Sequence, residues 1–262
     1  DETPSTQAAE PVAEADAAND ATGEAPAEAE PAVPQPIIVY WNGPFVVTPA
    51  PADAPRPAEG AAIVHLVGQP LRLQRDGGDI VAASLIYDTG DERLLIDGTE
   101  QSPLVLKDAE GSVIQTQTLT YIPQQKRMEL RGRSSATFPV RERADEEAQP
   151  LQAEWADRCV LLLSDGGLEQ LAVQRAQLVG NVRITHPSVR LSSQALGLEL
   201  DTDAASTQPA DASSRMQLRR LTARGDVDCV IIDDQEQTQS IQADRLRLDT
   251  AVDDQGRLYP RQ

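Results

Sequence analysis

The stretch Ser84–Gly98, SLIYDTGDERLLIDG, decides the fold because it occurs twice. The second copy is Thr118–Gly132, TLTYIPQQKRMELRG, which lies 34 residues further along without a gap. Each copy contains a short x-Leu-x-Tyr strand, a polar turn, a second strand and a closing glycine. A period of this size is typical of stacked repeats, in which each unit buries its apolar face against its neighbours.

The rest of the chain repeats this strand–turn–strand pattern less regularly. Short alternating runs are separated by Gly, Pro and Asp turns, and no segment has a helical period with caps. Two Gly-centred segments align with one another, Gly180–Ile184 (GNVRI) and Gly225–Cys229 (GDVDC). The residues Ile37–Val47 predict a hairpin that joins the sheet, and Ala204–Ser214 predicts a loop. The sequence therefore predicts an all-β, antiparallel fold of stacked strand–turn–strand units.

Charge and composition divide the chain. The net charge is −19, and residues 1–60 hold eleven acidic residues against one basic residue. We expect residues 1–36 to be a disordered acidic tether, residues 37–140 and 151–250 to form two β-rich halves, and residues 251–262 to be a tail. The acidity argues against nucleic acid and against adsorption on an anionic membrane. With no initiator Met, apolar span or signal peptide, we expect a mature or trimmed fragment whose anchor or signal lay upstream.

The sequence resembles the OstA-like β-jellyroll domains of the periplasmic lipopolysaccharide transport proteins, over roughly residues 60–250. The resemblance is carried by the two 34-residue copies and by the residues Gly180, Asn181, Val182, Ile184, Gly225, Asp226, Val227, Ala243, Asp244, Leu246 and Leu248. It implies an open or V-shaped pair of sheets that holds lipid acyl chains, stacks through its edge strands and lies in the periplasm, either free or tethered to the inner or outer membrane. The insertion at 204–214 and the acidic tether depart from the family pattern.

The alternation of apolar and polar residues along the strands predicts an aliphatic lining between the two sheets and a rim of arginines. The predicted lining consists of Leu85, Tyr87, Leu119, Tyr121, Val182, Ile184, Leu196, Leu198, Val227, Ile231, Leu246 and Leu248. The predicted head-group rim consists of Arg72, Arg183, Arg190 and Arg245, because arginine can contact phosphate in a bidentate manner. The same positions are also compatible with a closed core and with a solvated outer face.

Signals of catalysis are weak. His65 and His186 are far apart in the sequence, and no catalytic or metal-binding motif occurs. We therefore expect a non-enzyme without cofactor or metal, and the two cysteines, Cys159 and Cys229, read more readily as buried thiols than as a disulfide. The main alternative is a structural β-repeat scaffold with a dry core and protein partners at its edges. A carbohydrate-binding sandwich is disfavoured by the low aromatic content of 3%.

Overall fold

The computed structural model describes residues 36–50, 60–75, 77–109, 111–140, 148–163, 173–201, 217–232, 235, 237–252 and 258–260. Within these ranges the chain forms seventeen β-strands and one short 3-10 turn, Pro123–Gln125, with no α-helix. Every strand pairing is antiparallel, so the predicted all-β antiparallel fold is confirmed. The described residues belong to one compact unit.

The strands fall into a first group of mostly short elements and a second group that contains four long ones, β13 to β16. The first group is β1 (Ile38–Tyr40), β2 (Phe45–Pro49), β3 (Ala62–Arg75), β4 (Gly78–Asp88), β5 (Arg93–Asp97), β6 (Leu104–Lys107), β7 (Val113–Thr116) and β8 (Thr118–Ile122). The second group is β9 (Arg127–Arg131), β10 (Ser134–Val140), β11 (Gln149–Trp155), β12 (Arg158–Leu163), β13 (Val173–His186), β14 (Val189–Asp201), β15 (Gln217–Ile232), β16 (Thr238–Val252) and β17 (Leu258–Pro260).

The pairings run in two series that we call sheet 1 and sheet 2. Sheet 1 contains β1, the second half of β3, the first half of β4, β6, β7, β10, β11, the second half of β13, the first half of β14, the second half of β15 and the first half of β16. Sheet 2 contains β2, the complementary halves of the long strands, β5, β8, β9, β12 and β17. The long strands thus belong to both sheets.

The 34-residue repeat corresponds to adjacent hairpins of sheet 2. The first copy forms the second half of β4 and β5, and the second copy forms β8 and β9 around the 3-10 turn. Strands β5 and β8 pair with each other, so the two copies lie side by side. The chain between the copies supplies β6 and β7 to sheet 1. Each repeat period therefore contributes two strands to each sheet.

The two sheets meet along a line of breaks and bulges that we call the seam. At Gly180–Asn181 and Gly225–Asp226, two residues face one residue of the next strand. All four have positive φ, between 46° and 92°, which Gly, Asn and Asp adopt more readily than other residues. The Gly-centred motifs of the sequence are therefore β-bulges that carry a long strand from one sheet to the other.

Two segments differ from their predicted local structure. Gly68–Pro70, where the Gly and Pro residues predict a turn between two strands, is an irregularity inside the continuous strand β3. Residues 37–47 do not form a hairpin, because β1 pairs with the second half of β3 and β2 with the first half. Both differences have the same cause, since the seam bends β3 and sends its two neighbours into different sheets. The predicted loop at 204–214 lies outside the described residues.

The inward faces of both sheets form one apolar core. Its centre is tightly closed, as Leu71, Ile96, Leu104 and Leu130 are 0% exposed. Two buried polar side chains of the core are satisfied locally: the Ser134 hydroxyl donates to Thr116 Oγ1 at 2.9 Å, and Thr116 Oγ1 donates to the carbonyl of Arg131 at 3.0 Å. Packing is looser toward β16, where large apolar side chains on the inward side remain exposed.

Candidate functional site

The twelve predicted lining residues all lie on the inward faces of the strands. The pairing Leu85↔Ile96 and the pairing Leu119↔Leu130 place the repeat residues in the closed centre of sheet 2. Six of the twelve are fully buried, namely Leu85, Leu119, Tyr121, Val182, Leu196 and Val227. Ile231 is 39% exposed, and the other five are partly buried, namely Tyr87, Ile184, Leu198, Leu246 and Leu248.

The inward side chains are closely packed at the centre of the core and more exposed toward its ends, as Phe45 on β2 is 56% exposed although it lies opposite the buried Leu66. The central lining side chains are enclosed by both sheets, so they pack as an ordinary core. On β15 and β16, Ile231 and Ile241 are 39% and 38% exposed although the strand alternation turns both inward. Inward aliphatic side chains are therefore accessible to solvent at the β15–β16 end.

The four predicted rim arginines do not lie on one rim. Arg72, Arg183 and Arg190 lie on the outer face of sheet 1, whereas Arg245 lies on the outer face of sheet 2. Arg72 is also engaged, since its Nε and Nη2 atoms donate to the two carboxylate oxygens of Asp79 at 2.6 and 3.0 Å. The structure therefore separates residues that the sequence analysis grouped together.

A larger group of arginines on the outer face of sheet 2 was missed by the sequence analysis. It spans β9 and β12–β16, and we call it the arginine face. Its members are Arg127, Arg131, Arg158, Arg175, Arg220, Arg224, Arg245 and Arg247. The alternating runs Arg127-x-Glu129-x-Arg131 and Arg245-x-Arg247-x-Asp249 signalled outward charge, but the grouping depends on strand pairing that the sequence does not show.

Three carboxylates are each shared by two arginines of this face. Glu129 accepts hydrogen bonds from Arg131 at 2.7 Å and Arg127 at 2.9 Å. Burial alone would raise the pKa of Glu129, but the hydrogen bond from Arg131 and the positive charges around it outweigh burial and lower that pKa. Glu199 is shared by Arg175 and Arg220, and Asp249 by Arg220 and Arg247.

The chemically reactive residues are dispersed. Cys159 and Cys229 are free, buried thiols, which is the interpretation that the sequence favoured. Burial raises the pKa of Cys159 to about 12. His186 lies in sheet 1 and is buried, with Nδ1 2.8 Å from Ser188 Oγ. His65 lies in sheet 2. Within the described ranges, no group of three or more His, Cys, Asp or Glu residues could hold a metal ion.

The opposite end of the molecule has an exposed apolar edge on β1, β2 and the segment joining them. The exposed side chains there are Ile37, Ile38, Tyr40, Trp41, Phe45, Val46 and Val47, each at 45–56%. Trp41 and Phe45 contact one another with ring centroids 6.2 Å apart. An edge strand with such side chains can pair with another strand. No helix in the part of the chain that the structure describes is long and apolar enough to cross a bilayer.

None of the known protein-family models matches the chain, and no curated protein matches it significantly. The class that can be stated is that of an all-β antiparallel protein with a two-sheet aliphatic core.

Proposed function

We propose that this chain binds lipopolysaccharide or a similar glycolipid through its acyl chains and passes it across the periplasm without catalysis. The observation that carries this proposal is the exposure of Ile231 and Ile241, two inward aliphatic side chains at the β15–β16 end of the core. The resemblance to OstA-like jellyroll domains, carried by the Gly-centred motifs and the repeat, points in the same direction.

The physical chemistry of such binding needs no special residues. An acyl chain gains about 0.8 kcal/mol per buried methylene group, so an aliphatic cleft can hold several chains out of water. Most inward side chains on β15 and β16 near the open end are aliphatic or small, and Gln239, opposite Ile231, is polar; the apolar ones include Val227, Ile231, Ile241, Ala243, Leu246 and Leu248. The polar head group would remain outside the sheets, where arginines are available.

A photo-crosslinking experiment tests this proposal. A benzophenone amino acid at Ile241 points inward and is accessible, whereas the same amino acid at the adjacent Ser240 points outward on the same strand. After incubation with lipid A and irradiation, mass spectrometry should detect a lipid adduct at position 241 and not at 240. Adducts at neither position, or equally at both, would reject an aliphatic binding cleft.

The second candidate function is that of a structural module that assembles with similar domains through its edges. The exposed apolar side chains of β1 and β2 favour it, because such an edge is usually covered in a native assembly. Native mass spectrometry of the purified chain distinguishes the two functions. Oligomers without bound lipid would favour the scaffold, whereas a lipid-loaded species would favour transfer.

A further inference from the structure

The arginine face contains cross-strand pairs of like charge. Arg131 and Arg158 are directly opposite one another on β9 and β12, and Arg224 and Arg245 are directly opposite on β15 and β16. Like charges in opposed positions of an antiparallel pair destabilise it. Among the described residues, no carboxylate oxygen lies within 4.0 Å of the guanidinium groups of Arg158, Arg224 or Arg245.

The face as a whole has excess positive charge. Its eight arginines are accompanied by three described carboxylates, Glu129, Glu199 and Asp249, each of which already accepts from two arginines. The remaining positive charge stands on one side of a chain whose net charge is −19. A partner within about 10 Å, the Debye length at 0.1 M salt, senses this local charge more than the charge of the whole chain.

The width and the side-chain lengths of the arginine face suit a partner with an extended surface. The six strands that contribute to it span about 24 Å at roughly 4.8 Å per strand. The short side chains of Val179 and Ala195 lie between the two arginine pairs, so that the longer guanidinium groups can extend beyond them. Such a surface can meet a plane of regularly spaced anions, and arginine forks match phosphate oxygens in a bidentate manner.

We propose that the arginine face is a docking surface for the phosphate head groups of an anionic phospholipid bilayer. Phosphates placed between Arg131 and Arg158, and between Arg224 and Arg245, would convert two repulsive contacts into bridged ones. This role is separate from acyl-chain binding, because it uses outward side chains of sheet 2 and leaves the β15–β16 opening aside. It also revises the expectation from net charge alone that the chain avoids anionic membranes.

Vesicle flotation with the full chain tests the proposal. Vesicles of phosphatidylcholine with phosphatidylglycerol should bind the chain, and vesicles of phosphatidylcholine alone should not. The double variant R158Q/R245Q removes one charge from each opposed pair, and we expect it to bind about 25-fold more weakly, at about fivefold per arginine near an anionic surface. Binding should weaken as salt is added.

The matched control is R183Q/R190Q, which removes the same charge from the outer face of sheet 1 and should leave binding within about twofold of the unmodified chain, because those arginines lie outside the docking face. Thermal unfolding of both variants checks the fold, and R158Q/R245Q should be at least as stable as the unmodified chain because it relieves like-charge contacts. Equal losses in both variants would reduce the effect to net charge and overturn the proposal. Binding to duplex DNA without binding to vesicles, or no binding to anionic vesicles, would also overturn it.

Discussion

The backbone N–H of Ala156 donates a hydrogen bond to the carbonyl of Gly180 across 2.6 Å, and this bond connects the break between β11 and β12 to the bulge in β13. Further along the seam, the backbone N–H of Gly132 donates a hydrogen bond to the carbonyl of Asp157 at 2.7 Å. The seam is thus hydrogen-bonded from strand to strand, although each sheet is interrupted there. This arrangement holds the register of the two sheets relative to one another.

The first prediction concerns the bulge glycine. Gly180 has a φ of 92°, and a Cβ atom there would lie 2.8 Å from the backbone nitrogen of Asp157. Gly180→Ala should therefore lower the free energy of unfolding by about 1–3 kcal/mol, as strained backbone positions do. Urea denaturation followed by circular dichroism measures the change. Gly197→Ala is the control, because the nearest atom to a Cβ there is 3.8 Å away, and a comparable loss in that variant would contradict the explanation.

The second prediction compares the closed centre with the open end. Leu130 is 0% exposed and Ile241 is 38% exposed, so Leu130→Ala should cost about 2–5 kcal/mol of unfolding free energy and Ile241→Ala less than about 1 kcal/mol. Thermal or urea unfolding of the two variants provides the measurement. Similar losses would mean that the interior is equally packed at both places, which would remove the basis for an accessible cleft.

The third prediction concerns alkaline pH. Burial raises the pKa of the Cys159 thiol from about 9.0 to about 12, so the folded chain keeps a proton that the unfolded chain loses. The contribution of this thiol to the free energy of unfolding should be fully present below about pH 9. It should be lost as the pH rises toward 12, by up to about 1.4 kcal/mol per pH unit. Unfolding free energies of the chain and of Cys159→Ala across this range test the prediction. The difference between them should narrow as pH rises, and a constant difference would contradict it.

The fourth prediction concerns the carboxylate between Arg127 and Arg131. The pKa of Glu129 is lowered in the folded chain despite its burial, so its contribution to stability is present above about pH 4.5 and is lost as pH falls through the folded pKa. Glu129→Gln should cost about 1–3 kcal/mol at neutral pH, because two guanidinium groups lose a charged acceptor. Urea unfolding at neutral and acidic pH should show this cost shrinking in acid, and an unchanged cost would argue against the ion pairs as its source.

The fifth prediction concerns the apolar edge. Val46 lies on edge strand β2 with 45% exposure, and a lysine there should suppress strand pairing between molecules without disturbing the core. Analytical ultracentrifugation should therefore show less self-association for Val46→Lys than for the unmodified chain. Gln177→Lys, on the interior strand β13, adds the same side chain at an exposed position away from the edge and should not change association.

The sequence was sufficient to predict the fold class and the direction of the lining residues. The period of 34 residues and the two-residue alternation are local properties, and each specifies which side chain points inward once a strand forms. Leu85 and Leu119 lie at equivalent positions of adjacent hairpins, as their equivalence in the repeat indicates. Alternation could not distinguish an open cleft from a closed core, because both orient the same side chains.

What the sequence could not predict depends on pairing between distant segments. Arg224 and Arg245 are 21 residues apart and become neighbours only through the register of β15 and β16. The predicted rim failed to form for the same reason, since Arg183 and Arg245 alternate in the same way along strands yet lie in different sheets. The seam could not be predicted either, because Gly-Asn and Gly-Asp indicate a positive φ without showing that it belongs to a bulge inside a long strand.

The division of each repeat between the two sheets has a consequence for how such a protein could grow during evolution. A duplication of residues 84–117 would insert two strands into sheet 1 and two into sheet 2, and every seam position would keep its partner. Each duplication would lengthen the apolar interior by about 10 Å, at roughly 4.8 Å per strand, without a new loop type or a change in handedness. Homologous chains should therefore differ in length by whole multiples of this unit.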